Sequence, residues 1–318
     1  MPQTLPNPLT QARVRSISDS SSRPWDALAP LRLWHLTSLD APTVAVVWAL
    51  GFASAAGIQL PIWAPVLLAL VMWAVYVADR LFDARSSLRT GKTYRLRQRH
   101  HFHWQHRSIL VSFAIATAAT SVYIVFALMP ISAREHNTIL AAAALAYFTR
   151  VHSSARQIST RATPLRHLMP QGKFPFASKE LAVALLFTAA CVLPVFSRLP
   201  AGAHPWPLMV AAAFLTLLAW LNCHAIEYWE CAVDPQVQGC FFGFARPFPS
   251  AILLGISALL SAIILSPSHP RSAALLAACA ASALLLAVLD RMRSRLTPLA
   301  IRCLADLALL TPIALCVR

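Results

Sequence analysis

Nine apolar segments, most of them close to 20 residues long, run through the 318-residue chain. A helix that crosses a bilayer needs about 20 mostly apolar residues, because the hydrocarbon layer holds no water to satisfy an open backbone. The segments are continuous and do not alternate between apolar and polar residues, which argues against a β-barrel. We predict spans at Pro42–Leu60, Ile62–Phe82, Ser108–Met129, Asn137–Val151, Leu181–Phe196, Trp206–Ile226, Pro249–Leu265, Ser272–Leu289 and Leu299–Val317.

The composition supports an all-α polytopic membrane protein. Hydrophobic residues make up 58% of the chain and charged residues 12%, whereas a soluble protein carries about 25% charged residues. Residues 31–318 are predicted to form one transmembrane helical domain, whose first residues, 31–36, suit an interfacial segment. Residues 1–30 are polar, rich in Pro and Ser, and lack the apolar core of a signal peptide, so we predict a disordered cytoplasmic tail.

The basic residues indicate the orientation of the spans. With the N-terminus in the cytoplasm, 23 of the 27 Lys and Arg residues fall on the cytoplasmic side, as the positive-inside rule expects. The net charge of +15 is therefore explained by cytoplasmic loops, and no nucleic-acid partner is predicted. Most of the acidic residues near the ends of spans fall on the same side, and only Glu135 faces outward.

Two carboxylates stand at the end of the second span. Asp79 and Asp83 are four residues apart, so they share one face of a helix, with Tyr76 one turn earlier. Ionisable groups at a membrane helix end are costly unless they are paired, hydrated or bound to a cation. The pair therefore predicts a metal site, a proton path or a cationic partner, while the simplest alternative is an ion pair with Arg80 or Arg85.

A second acidic group ends the sixth span. His224, Glu227 and Glu230 are three residues apart, so they also share a helix face. No basic residue follows them until Arg246, so local charge balance explains these carboxylates poorly. Hard carboxylate oxygens suit Mg²⁺, which also binds phosphate oxygens, and nearby Arg and Lys side chains could hold the rest of a diphosphate.

This arrangement resembles the UbiA superfamily of intramembrane prenyltransferases. Members of that family have nine helices, a cytoplasmic N-terminus and aspartate-rich motifs at the cytoplasmic ends of helices two and six. The first motif reads roughly N-D-x-x-D-x-x-x-D, and its last two aspartates match Asp79 and Asp83, while Tyr76 takes the place of the first. Glu227 and Glu230 stand where the second motif is expected.

The resemblance implies a bundle of about nine helices around a central cavity open to the cytoplasmic side, in a bacterial inner membrane. It implies a transferase that ionises an isoprenyl diphosphate and passes the prenyl group to a lipophilic or aromatic acceptor. Mg²⁺ would be held by the catalytic carboxylates Asp79, Asp83, Glu227 and Glu230. The residues that it suggests for substrate binding are Tyr76, Arg80, Arg85, Lys179, Asn222 and Tyr228.

Three other functions remain open. A terpene cyclase would use the same fold and the same carboxylates, with Tyr76 facing a carbocation. A proton- or cation-coupled transporter would use the carboxylates differently, although acids confined to one membrane face argue against it. A family member without catalysis is the third alternative, because Tyr76 replaces an aspartate of the motif.

Two further patterns carry weaker predictions. Four histidines between His100 and His106 could bind metal, but a basic interfacial loop over the active site fits them better, since the several histidine boxes of di-iron enzymes are missing. Arg302 and Asp306 are four residues apart, and we predict a structural ion pair between them.

Overall fold

The computed structural model describes residues 29–89, 98–160, 179–233 and 246–316, and the regular elements in these ranges are all helical. The predicted tail, residues 1–30, lies outside the described residues except for Ala29 and Pro30, which begin the first helix. The helices are α1 (Ala29–Leu36), α2 (Asp40–Ala56), α3 (Trp63–Arg89), α4 (Gln98–Gln105), α5 (Arg107–Ala127), α6 (Ile131–Thr160), α7 (Lys179–Phe196), α8 (Trp206–Val233), α9 (Pro247–Leu265), α10 (Pro270–Met292), α11 (Pro298–Ala308) and α12 (Ile313–Cys316).

The prediction of a multi-pass helical membrane protein is confirmed, but the count of nine spans is not. Within the described ranges, seven segments are long and apolar enough to cross a membrane, and the bent pair α1–α2 would make an eighth. These seven correspond to the second, third and fifth to ninth predicted spans. The ninth consists of two helices, because α11 and α12 are separated by a turn. The central cavity stays a prediction.

The first and fourth predicted spans explain the difference in number. α2 has only 17 residues and begins at a charged side chain, Asp40. α6 is 30 residues long, but Arg134 and Glu135 lie near its start and Arg150 interrupts its second half, so its apolar stretch is short. Both segments are helices as predicted, yet neither alone has the length and hydropathy of a spanning helix.

α2 lies at the centre of the packing. Trp48 and Phe52 are fully buried, and the Trp48 indole nitrogen donates to the Leu309 carbonyl at 2.9 Å. A Cβ added at Gly51 would lie 3.1 Å from Pro312 Cβ, so glycine permits the close approach of the chain after α11. α9 and α10 form the most extensively packed hairpin, and small residues line much of this core.

The polar side chains gather at one end of the bundle. The C-terminal ends of α3, α8 and α10 meet the N-terminal ends of α2 and α11 there. Contacts between charged or polar side chains connect them: Arg80 with Asp40, Trp229 with Asp290, and Glu230 with Arg302. This end is the one that the sequence predicts to be cytoplasmic.

Candidate functional site

The bend between α1 and α2 buries three polar side chains. The two helices meet at 89°, and His35, Ser38 and Asp40 are between 0% and 3% exposed. Ser38 has a φ of 63°, in the left-handed region that few non-glycine residues adopt. A strained backbone conformation persists only where the surrounding contacts hold it. The bend at Ser38 is therefore fixed by the contacts around it.

Four charged side chains from four helices meet at the bend, and we call them the corner cluster: His35 (α1), Asp40 (α2), Arg80 (α3) and Asp306 (α11). His35 Nδ1 lies 2.6 Å from Asp40 Oδ2 and 3.5 Å from Asp306 Oδ2. The Arg80 guanidinium donates to Asp40 Oδ2 at 3.2 Å and to the His35 carbonyl at 2.8 Å. The cluster therefore joins residues that lie far apart in sequence.

Local structure favours charge at this place. Asp40 is the first residue of α2, where the helix dipole stabilises a carboxylate, and its Oδ1 accepts a hydrogen bond from the Ala41 N–H at 3.0 Å. Two indoles hold the bend from either side. Trp34 donates to the Thr43 hydroxyl at 3.1 Å, and Trp73 of α3 donates to the Thr37 carbonyl at 2.9 Å.

The charges of the corner cluster balance when His35 is protonated. Two carboxylates and one guanidinium leave one negative charge, which an imidazolium cancels. Among the described residues, His35 Nε2 has no hydrogen-bond partner, and leaving this N–H unpaired costs about 1–3 kcal/mol. An uncompensated buried charge costs more, about 3–5 kcal/mol, so the balance favours the imidazolium.

The same side chains form a possible metal site by composition. The ligand atoms of His35, Asp40 and Asp306 all lie within 4.8 Å of one another, and imidazole with carboxylates suits a first-row transition metal. However, His35 Nδ1 and Asp40 Oδ2 lie only 2.6 Å apart, closer than two ligand atoms held at about 2.1 Å by one metal ion in tetrahedral geometry. Arg80 also occupies the same oxygen of Asp40. Both facts favour a proton over a metal ion.

The histidine-rich segment is a short helix, α4, so the prediction of a loop is wrong. His103 is fully buried against the bend. Its Nδ1–H donates to the Arg99 carbonyl at 2.8 Å, and its Nε2 lies 3.0 Å from the Ser38 hydroxyl, which donates to the neutral ring. Burial lowers the pKa of His103 to about 4, because a charged imidazole would lose its hydration.

The predicted carboxylates of α3 lie beside the corner cluster but face another neighbour. Asp79 and Asp83 are half-buried, and the Asp79 carboxylate acts electrostatically on Tyr147 of α6. The helices meet there through an edge-to-face contact of Phe82 with Phe148, at 5.7 Å between ring centroids. Arg80 turns to the corner cluster, so it is not the ion-pair partner of either aspartate.

The acidic end of α8 approaches the same region. Cys223 experiences the charges of Glu227, of Asp306 and of Lys179 and Glu180 at the start of α7. Tyr147 in turn experiences Asp79, Glu180 and Cys223. Tyr147 is therefore a neighbour of acids from α3 and α7, and Cys223 of acids from α7, α8 and α11, with Glu180 of α7 common to both. We call Asp79, Asp83 and Glu227 the acidic patch.

Glu230 has a different environment from Glu227. Its carboxylate forms an ion pair with Arg302 of α11, and both side chains are largely buried, whereas Glu227 is exposed. The predicted Arg302–Asp306 pair is therefore wrong, because Arg302 binds Glu230 while Asp306 faces His35 and Asn222. Helical spacing alone could not decide between partners on the same helix and on a neighbouring one.

The other predicted site residues lie in different surroundings. Tyr76 lies near the corner cluster, with the Arg80 guanidinium 6.0 Å from its ring centroid. Asn222 is buried, and its amide nitrogen lies 3.5 Å from Asp306 Oδ1. Tyr228 packs against the Arg293 guanidinium at 5.3 Å. Lys179 and Arg85 are exposed, and the Tyr147 hydroxyl donates to the Lys179 carbonyl at 3.4 Å.

Reasoning from the sequence missed His35 and Asp40. A signal was available, because these ionisable residues flank the start of a predicted span, where an unpaired charge would be costly. Their partners, Arg80 and Asp306, could not be identified without the tertiary fold. Comparison with protein-family models, curated proteins and solved structures finds no match for this chain.

Proposed function

We propose that the protein is a Mg²⁺-dependent intramembrane prenyltransferase that acts on an isoprenyl diphosphate and a lipophilic or aromatic acceptor. One observation carries the proposal: at one end of a membrane bundle, Asp79 of α3 acts electrostatically on Tyr147, Glu227 of α8 acts on Cys223, and Cys223 in turn acts on Tyr147. Two separate helices thus supply carboxylates to one region, beside apolar helices that can accept a hydrocarbon chain.

The chemistry of the donors fits the ion. Asp79, Asp83 and Glu227 offer hard carboxylate oxygens, the ligands that Mg²⁺ prefers together with water and phosphate. When bound, Mg²⁺ supplies positive charge that stabilises the departing diphosphate. Glu230 was predicted as a fourth ligand, but its ion pair with Arg302 gives it a structural partner, so we assign the binding of the metal to the other three carboxylates.

Basic and aromatic side chains complete the proposed site. Lys179 is exposed at the start of α7, close enough to act on Cys223, and its ammonium suits the diphosphate.

In the reaction, the bond from the prenyl carbon to the diphosphate oxygen breaks, and the diphosphate leaves with the electron pair. The acceptor then bonds to that carbon and gives up a proton to solvent. The Tyr147 ring can stabilise the allylic cation.

Release of diphosphate tests the proposal. The purified protein is incubated with Mg²⁺ and farnesyl or geranylgeranyl diphosphate, with and without membrane lipid extract. We expect release that Asp83→Asn abolishes and that Glu135→Gln, the matched change near the start of α6, leaves intact. Release without an acceptor, together with a cyclised hydrocarbon, would select a terpene cyclase. No release under any condition would contradict both enzymes and leave transport or a family member without catalysis.

A second function, proton-coupled transport, is favoured by the corner cluster alone. Buried ionisable groups inside a membrane protein often mark a proton relay, and four such groups meet here. Proteoliposomes loaded with a pH-sensitive dye test this function. Proton flux that depends on Asp306 would support transport, and an absence of flux together with diphosphate release would support the transferase.

A further inference from the structure

The corner cluster ties the shortest of its four helices to the rest of the bundle. α1 has eight residues, whereas Arg80 and Asp306 lie within helices that are long enough to span the membrane or belong to such a span. Hydrogen bonds from Arg80 to the His35 carbonyl and from Trp34 to Thr43 hold α1 in place. The contact of His35 with two carboxylates adds the charged part of this attachment.

We propose that the corner cluster is a proton-binding site, and that one proton held by His35 locks α1 against the bundle. Nδ1 lies against the carboxylates of Asp40 and Asp306, so Nε2 is the atom that gains or loses this proton. Its loss leaves two carboxylates and one guanidinium in a buried site, at a net charge of −1. α1 can relieve this imbalance by moving away and admitting water to the carboxylates, since none of the seven long spanning helices needs to shift.

Further charged or titratable groups lie on the helices around the cluster, among them Arg99 of α4, whose charge acts on His103. Asp40, Asp306 and Arg80 contact one another or His35 directly. The cluster also acts electrostatically on four titratable side chains of α3, α4, α8 and α11. All four are uncharged when His35 titrates, so they do not alter the net charge of the cluster. They are Tyr76, His103, Cys223 and Cys303.

Hydrogen–deuterium exchange of the detergent-solubilised protein tests the lock. Exchange of the peptides that cover α1 is followed from about pH 6 to about pH 9 and corrected for the intrinsic pH dependence of amide exchange. Where opening of α1 releases one proton from His35, the opening constant increases about tenfold per pH unit. We expect the corrected exchange rate of α1 to rise by the same factor. Peptides of the α9–α10 hairpin serve as the internal reference and should keep a constant corrected rate.

Two isosteric variants separate the lock from general destabilisation. In Asp306→Asn, the charges of Asp40 and Arg80 cancel while His35 is neutral. Loss of the His35 proton then leaves no net charge, so the rise in α1 exchange with pH should disappear. In Asp290→Asn, the lost carboxylate is one that binds Trp229 and Arg293 and no histidine, so the wild-type pH dependence of α1 should remain.

Three results would overturn the proposal. The first is an α1 exchange rate that does not change with pH in the wild-type protein. The second is the same rise in Asp306→Asn as in the wild type. A rise shared by α1 and the α9–α10 hairpin counts with the first result, because it would report global unfolding and no separate response of α1. The third is full protection restored at about pH 9 by added Zn²⁺ or Mg²⁺, which would identify a metal site instead.

Discussion

The corner cluster and the acidic patch meet at α3, which contributes residues to both. The charges of the first are buried and paired, whereas those of the second are partly exposed. Arg80 is 5% exposed and its charge is matched by Asp40, whereas the neighbouring Asp79 is half-buried beside Tyr147. Burial requires that every charge be compensated within the fold. Partial exposure lets a carboxylate keep the capacity to bind a ligand, so we assign stability to the first region and chemistry to the second.

The strongest test of this contrast compares two aspartates that differ in burial. Asp40→Asn removes the carboxylate that Arg80 contacts directly, and we expect it to lower the free energy of unfolding by about 3–5 kcal/mol. Asp79→Asn should lower it by less than about 1 kcal/mol, since its site is partly solvated. Denaturation of both variants in detergent micelles measures the difference. Equal losses would show that the two regions do not differ in this way.

Acid should weaken the packing of α4 against the bend, because His103 is buried there as a neutral ring. Burial lowers the pKa of His103 to about 4. As the pH falls below about 6.5, His103 of the unfolded chain therefore binds a proton, while His103 of the folded chain stays neutral until about pH 4. Stability should therefore fall as the pH drops from about 6.5 to about 4, by up to about 3 kcal/mol. The dependence of the unfolding midpoint on pH measures this loss. His103→Gln should flatten the profile over this range, and an unchanged profile in the variant would refute the assignment.

The smallest expected effect concerns the bend itself. Ser38→Ala removes the hydroxyl that donates to His103 Nε2 and keeps the left-handed backbone, so we expect a loss of about 1–2 kcal/mol. Thr37→Ala is the matched control, because the Thr37 hydroxyl bonds only to carbonyls of its own helix. A larger loss in the control than in Ser38→Ala would show that α4 does not support the bend.

Much of the helical framework follows from the sequence, because apolar length and hydropathy are local properties. Seven predicted spans have helices that satisfy both. α6 departs from the pattern since Arg134, Glu135 and Arg150 shorten its apolar stretch. The interfacial segment before the first span is a helix at 89° to α2, which its mixed composition suggested without giving an angle.

The partners of charged residues were harder to predict. Helical periodicity shows which side chains share a face, and it correctly placed Asp79 and Asp83 together on α3. It cannot show which neighbouring helix the face meets. Arg80 binds Asp40, 40 residues away, and Arg302 binds Glu230 of α8, where spacing had suggested Asp306. These choices depend on tertiary packing, and so does the corner cluster that they create.

The central claim is that carboxylates of α3 and α8 act as one site. A double-mutant cycle tests it most directly, with Asp79→Asn, Glu227→Gln and the double variant compared in Mg²⁺-dependent release of diphosphate from an isoprenyl diphosphate. We expect each single change to reduce the rate by about 10²–10³-fold, the usual loss of a transition-state contact. The double variant should be little slower than either, because residues that act as a unit are not additive. Losses that multiply, or an active Glu227→Gln variant, would contradict the claim.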